Sequence, residues 1–138
     1  VTLRSYELHG ITMPSANTPA GAFRLMLVLD KQSNGATPGW TDILVQKNVY
    51  SPRNLANRKR FKIMWNKLIA TNSTTCTRAL KMYMRFKKRL VTDYNAGNAG
   101  DITDVATNAL FFIVLGTYPN AGDHLHFHYY GRLRYQDN

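Results

Sequence analysis

Three histidines two residues apart, His124, His126 and His128, form the spacing in this chain that comes nearest to a metal site. Side chains two apart on an extended strand project to one face, so a pair of them can reach a single ion. A catalytic metal on strands would also want a carboxylate shortly downstream and a more distant histidine. Here the downstream residues are Gly131, Arg132, Leu133 and Arg134, while Glu7 is the only glutamate and His9 the only other histidine. Arginines beside the ion would oppose a dication. The expectation is a histidine-rich exposed strand face with no metal.

Nucleophilic and phosphate-cradling chemistry find less support. Cys76, the single cysteine, sits in the polar run 72–77 without a glycine elbow or an adjacent base. Being alone, it excludes an internal disulfide and a cysteine-rich zinc site. Asn72-Ser73-Thr74 matches a glycosylation acceptor, a tripeptide common by chance. Gly97 and Gly100 lack the strand, lysine and helix of a phosphate-binding loop, and eight carboxylates scattered among cations offer no acid pair. No catalytic residues and no cofactor are expected, and the chain reads as a non-enzyme.

Charge points elsewhere. In 138 residues, 18 Lys and Arg stand against 8 Asp and Glu, a formal +10. Between Asp42 and Asp93 there is no acidic residue, and that interval holds Arg58, Lys59, Arg60, Lys62, Lys81, Arg85, Lys87, Lys88 and Arg89. A domain this one-sided suits a polyanion, nucleic acid before an anionic membrane. Those nine residues are the candidate nucleic-acid contacts. No apolar run approaches the roughly 20 residues that span a bilayer as a helix, so no membrane partner is expected.

The elements that must position these cations are strands. Val1 to Ile11 is β-rich; Phe23, Leu25, Leu27 and Leu29 alternate with Met26 and Val28, which predicts a strand covered on both faces. Residues 31–57 form a long connection with a short helix near Trp40. Phe61, Ile63 and Trp65 alternate with Arg60, Lys62 and Met64, and Leu80, Met82, Met84 and Phe86 with Lys81, Tyr83, Arg85 and Lys87. If these two strands share a sheet, their cations make one face. Residues 90–94 read as a further short strand, 95–101 as a loop and 108–118 as a central strand. The last strand sets Leu125, Phe127, Tyr129, Leu133 and Tyr135 against His124, His126, His128, Tyr130, Arg132 and Arg134. Seven or so strands with almost no helix predict an all-β sandwich or barrel, one domain over residues 1–138. Lysines and arginines without base-reading partners predict backbone contacts of weak sequence selectivity.

The run from Phe23 through Gly35, then Thr41-Asp42-Ile43-Leu44, Asn54-Leu55-Ala56-Asn57-Arg58 and Arg60-Phe61-Lys62-Ile63, resembles capsid proteins of circular Rep-encoding single-stranded DNA viruses. Val91-Thr92-Asp93-Tyr94-Asn95, Thr107-Asn108-Ala109-Leu110 and Gly131-Arg132-Leu133-Arg134-Tyr135 look like the closing strands of the same family. Geminivirus coat proteins and capsids of the satellite tobacco necrosis virus type show a similar order. The resemblance implies a single jelly roll of two antiparallel sheets that self-assembles into a small T=1, sixty-copy shell around a circular single-stranded DNA genome. It places the protein in the virion, and in the host nucleus during assembly; the receptor is not legible.

Aligned so, Val1 to Ile11 takes the place of the family's second strand, C. Residues 22–30 become D, 60–69 E, 79–88 F, 90–95 G, 108–118 H and 124–136 I. The first strand and the arginine-rich N-terminal arm have no counterpart, which would leave strand I with an open edge. The residues also admit a stand-alone single-stranded nucleic-acid-binding sandwich, the capsid of an RNA satellite virus, or a jelly-roll metalloenzyme holding metal at His124 and His126.

Overall fold

The computed structural model describes residues 1–13, 21–72, 77–95, 101–117 and 126–137, without the side chains of Lys88 and Arg89. His124, Cys76 and most of the 95–101 loop fall outside that set.

Period-two alternation becomes strands, and β-strand is what the cationic stretch 78–91 adopts although its lysines, arginines and leucine favour helix. The described elements are β1 (Thr2–Met13), β2 (Gly21–Asp30), α1 (Trp40–Ile43), β3 (Phe61–Thr71), β4 (Arg78–Val91), β5 (Asp93–Tyr94), β6 (Val105–Thr107), β7 (Ala109–Gly116) and β8 (His126–Gln136). A 3₁₀ turn, Ile102–Asp104, precedes β6. Two three-stranded antiparallel sheets, ordered β4-β1-β8 and β3-β2-β7, face each other, and β5 and β6 form a small ribbon.

The core lies between the sheets and again beneath the long connection. Leu25 and Leu27 of β2 meet Leu8 of β1 and Leu80 and Met82 of β4 across the sandwich. On the other face of β2, Met26 and Val28 pack under Ile43, Leu44 and Val49 of the connection, with Phe61. Thus β2 is covered on both sides, as its continuous apolar run predicts. Rings of Tyr6, Phe23, Phe112, Phe127 and Tyr129 line the β7/β8 side of the sandwich, with the Phe112 and Tyr129 centroids 5.0 Å apart. Glycine lets β1 and β8 lie flat here: a Cβ on Gly10 would overlap the Phe127 ring, and one on Gly131 would meet the Tyr6 hydroxyl.

Buried polar groups fasten the connection to the sheet. Arg24, buried on the outer face of β2, donates to Asn66 Oδ1 at 3.0 Å, to the Val49 carbonyl at 3.3 Å and to the Ser51 carbonyl. Burial pushes its guanidinium below the ordinary arginine range. Asp30, with no exposed side-chain surface, accepts from Arg60 Nε at 2.9 Å and Nη2 at 2.7 Å. Asn108 adopts φ 58° between β6 and β7, and its side chain donates to the Val91 carbonyl at 2.6 Å.

The jelly roll is confirmed, with a different strand assignment. A jelly roll orders one sheet B-I-D-G and the other C-H-E-F. The strand between I and G is D and the strand between H and F is E, so β1 is D, β2 is E, β3 is F, β4 is G, β7 is H and β8 is I. The expectation that Val1 to Ile11 is C therefore shifts by one strand. The cause is residues 90–95: Leu90 and Val91 finish β4, and Asp93–Tyr94 pair only with β6, so no separate sheet strand lies there. The places of B, beside β8, and C, beside β7, are filled by no described residue. Tyr129 and Tyr135 on the inner side of β8 are 55% and 60% exposed.

Two further expectations change. β3 and β4 lie in different sheets, so Lys62 shares no sheet face with the β4 cations and meets Arg85 and Lys87 only at the gap between the sheets. A register shift between Leu27 and Val28, opposite Met64, also breaks the alternation of β3. Phe61 and Ile63 turn to the connection, while Met64 and Trp65 turn to the core between the sheets.

Candidate nucleic-acid interface

The outer face of the β4-β1-β8 sheet collects what the sequence scatters over three strands. Leu80, Met82 and Met84 of β4, Tyr6 and Leu8 of β1 and Phe127 of β8 point into the sandwich, so their neighbours point out. Register then sets the outward rows: Arg85–Ser5–Arg134, Tyr83–Glu7–Arg132, Lys81–His9–Tyr130 and Ala79–Ile11–His128. Lys81, Tyr83, Arg85, Lys87, Tyr130, Arg132 and Arg134 are all exposed.

Glu7 is the only carboxylate in these three strands. Its Oε1 lies 2.9 Å from His9 Nε2, and that hydrogen bond, then the charges of His9, Arg132 and Arg134, hold its pKa below the usual glutamate value. The Arg132 guanidinium stands 5.9 Å from the Tyr130 ring centroid, with Nε 3.4 Å from the hydroxyl. Like charges at cross-strand spacing repel each other, so a face of this composition is stabilised by a polyanion laid across it.

Of the nine sequence candidates, Lys81, Arg85 and Lys87 stand on this face. Lys88 and Arg89 belong to β4, but their side chains are outside the described set. Arg58 and Lys59 are exposed in the turn ahead of β3, with the other sheet. Lys62 pairs with Leu29 and borders an open gap between β3 and β4, which Met64, Met84, Lys31, Arg85 and Lys87 also line. Arg60 is engaged by Asp30 and by Asn34 Oδ1 at 2.9 Å, bonds that tie the start of β3 to the end of β2 and the connection.

Sequence reasoning left Arg4, Arg132 and Arg134 off the list. For the two β8 arginines the signal was present, since they alternate with Leu133 and Tyr135; Arg4 joins them through a β-bulge that has no sequence signature. His126 and His128 lie on the same face with ring centroids 6.2 Å apart. Among the described residues, no three His, Cys, Asp or Glu side chains are grouped to hold a metal ion.

The model of the satellite tobacco necrosis virus coat protein family matches residues 4–129, from the start of β1 into β8. The chain belongs to this family. A search of curated proteins finds no match. Family membership makes the chain a viral capsid protein, a structural component of a virion whose copies assemble into a shell.

Proposed function

We propose that residues 1–138 are the shell domain of a capsid subunit, sixty copies of which close a T=1 particle around a single-stranded genome. The observation that carries this reading is the β4-β1-β8 face, three strands of lysine, arginine and tyrosine with one carboxylate, in a member of a coat protein family. This face looks into the shell and holds phosphates without reading sequence. The opposite sheet is covered by residues 31–60, whose exposed Trp40, Val45, Tyr50 and Leu55 supply apolar surface for neighbouring subunits.

A circular DNA genome follows from the resemblance to Rep-encoding viruses and brings assembly in the host nucleus with it. An RNA genome is the second reading, and the matched family, named for a satellite virus, favours it at least as well.

Lys81→Gln/Arg85→Gln/Lys87→Gln tests the face. These side chains point away from the core, so particles are expected to form and to contain less than half the wild-type nucleic acid. The log-log salt slope of binding should flatten by about 2, three contacts at ~0.7 each. Unchanged nucleic-acid content overturns the assignment. Digestion of the extracted genome by deoxyribonuclease or ribonuclease decides between the two readings.

A further inference from the structure

At one end of this face the strand pairing is irregular on both sides of β1, and the irregularity gathers cations. Between the pairs Leu3↔Tyr135 and Ser5↔Arg134, Arg4 is an extra residue facing β8. Between Leu3↔Leu90 and Ser5↔Arg85, residues 86–89 of β4 lie opposite Arg4 alone. Bulges re-aim side chains. Here they bring Arg4, Arg85, Lys87 and Arg134 from three strands around one open cleft of about 600 Å³, with Tyr83 on its wall.

Ser5, only 5% exposed, lies directly between Arg85 and Arg134 and also lines the cleft. The Arg4 guanidinium is steadied by a hydrogen bond to Gln136 Oε1. Among the described residues, no carboxylate lines the cleft.

We propose that this cleft is a phosphodiester site for single-stranded nucleic acid, in which the four cations take a backbone phosphate and Tyr83 stacks with the adjoining base. The inference rests on the reading of the outer face as the genome side and deepens it to one subsite per subunit. Charge complementarity selects the anion: guanidinium groups from two opposed strands present forked donors to phosphate oxygens. Geometry selects the single strand. Tyr83 lies two residues along β4 from Arg85, about 7 Å away, and is 59% exposed. Only an unpaired base can lie flat on such a ring while its own phosphate reaches the cleft.

The test is fluorescence anisotropy of a labelled ten-nucleotide thymidine oligomer with the purified chain kept as dissociated subunits, with a ten-base-pair duplex and inorganic pyrophosphate as competitors. Arg85→Gln/Arg134→Gln should weaken binding more than tenfold and flatten the salt slope by about 1.4, two contacts at ~0.7 each. Tyr83→Ala should weaken it about tenfold and Tyr83→Phe leave it near wild type. Lys67→Gln, on the other sheet, should change nothing. The unlabelled single strand should compete well ahead of both the duplex and pyrophosphate.

Equal competition by the duplex, with Tyr83→Ala neutral, overturns the single-strand assignment. Equal competition by pyrophosphate makes the cleft a free-phosphate site and overturns the nucleic-acid one. Wild-type affinity in Arg85→Gln/Arg134→Gln beside a loss in Lys81→Gln/Arg132→Gln overturns the cleft and leaves the face standing. Wild-type affinity in both pairs, or no binding by the wild type, overturns the face as well.

Discussion

Arg60→Met is expected to cost about 3 kcal/mol of folding stability while leaving nucleic-acid binding at the wild-type level. The Asp30 carboxylate has no exposed surface, and the Arg60 guanidinium neutralises it through two hydrogen bonds of 2.9 and 2.7 Å. Removing the cation leaves a buried charge unpaired, a loss of about 3–5 kcal/mol in general. The lower end applies because Arg60 keeps 25% of its side-chain surface in solvent. Denaturant unfolding measures the loss, and Asp30→Asn added to Arg60→Met should recover part of it, since the orphaned charge is gone. A loss below about 1 kcal/mol would mean that the pair is not what ties the connection to β2.

Phe61→Ala carries the other large effect, about 3–5 kcal/mol. Phe61 is 2% exposed, packed with Met26, Val28, Ile43 and Leu44, and the Arg60 guanidinium lies 4.7 Å from its ring centroid. Trp65→Ala should cost less, because Trp65 is only partly buried and stands on the opposite side of β3. Simple alternation would give the two residues one environment and similar losses. Equal destabilisation of the two variants, measured by the same denaturant titration, would contradict the register shift at Leu27/Val28.

Much of the faces and little of the neighbourhood was legible in the residues. Alternation in β4 and β8 correctly separates Lys81, Arg85, Arg132 and Arg134 from Met82, Phe127 and Leu133, because side-chain direction is a local property of an extended chain. The double burial of β2 was readable in the same way, from apolar residues on both of its faces. Strand order is not local. Nothing near Phe61 or Leu80 shows that their strands lie in opposite sheets, and the polar stretch 92–95 looks like a strand until pairing shows it holds only a ribbon.

Bulges add one residue without a characteristic sequence, which hid Arg4 and misplaced Trp65. The bond between Arg60 and Asp30 is not legible in the residues, because the two stand at opposite ends of the long connection, where sequence distance conceals it. The basic character of the chain was thus visible in composition, while which cations share the outer face follows from the pairing of β1 with β4 and β8.

Sedimentation velocity of the purified protein, recorded together in the protein and nucleic-acid absorbance bands, tests the central claim most directly. A shell-forming capsid subunit should give one fast, uniform boundary with nucleic-acid absorbance travelling in it. A single slow boundary at monomer mass, unchanged on adding single-stranded nucleic acid, would contradict self-assembly around a genome.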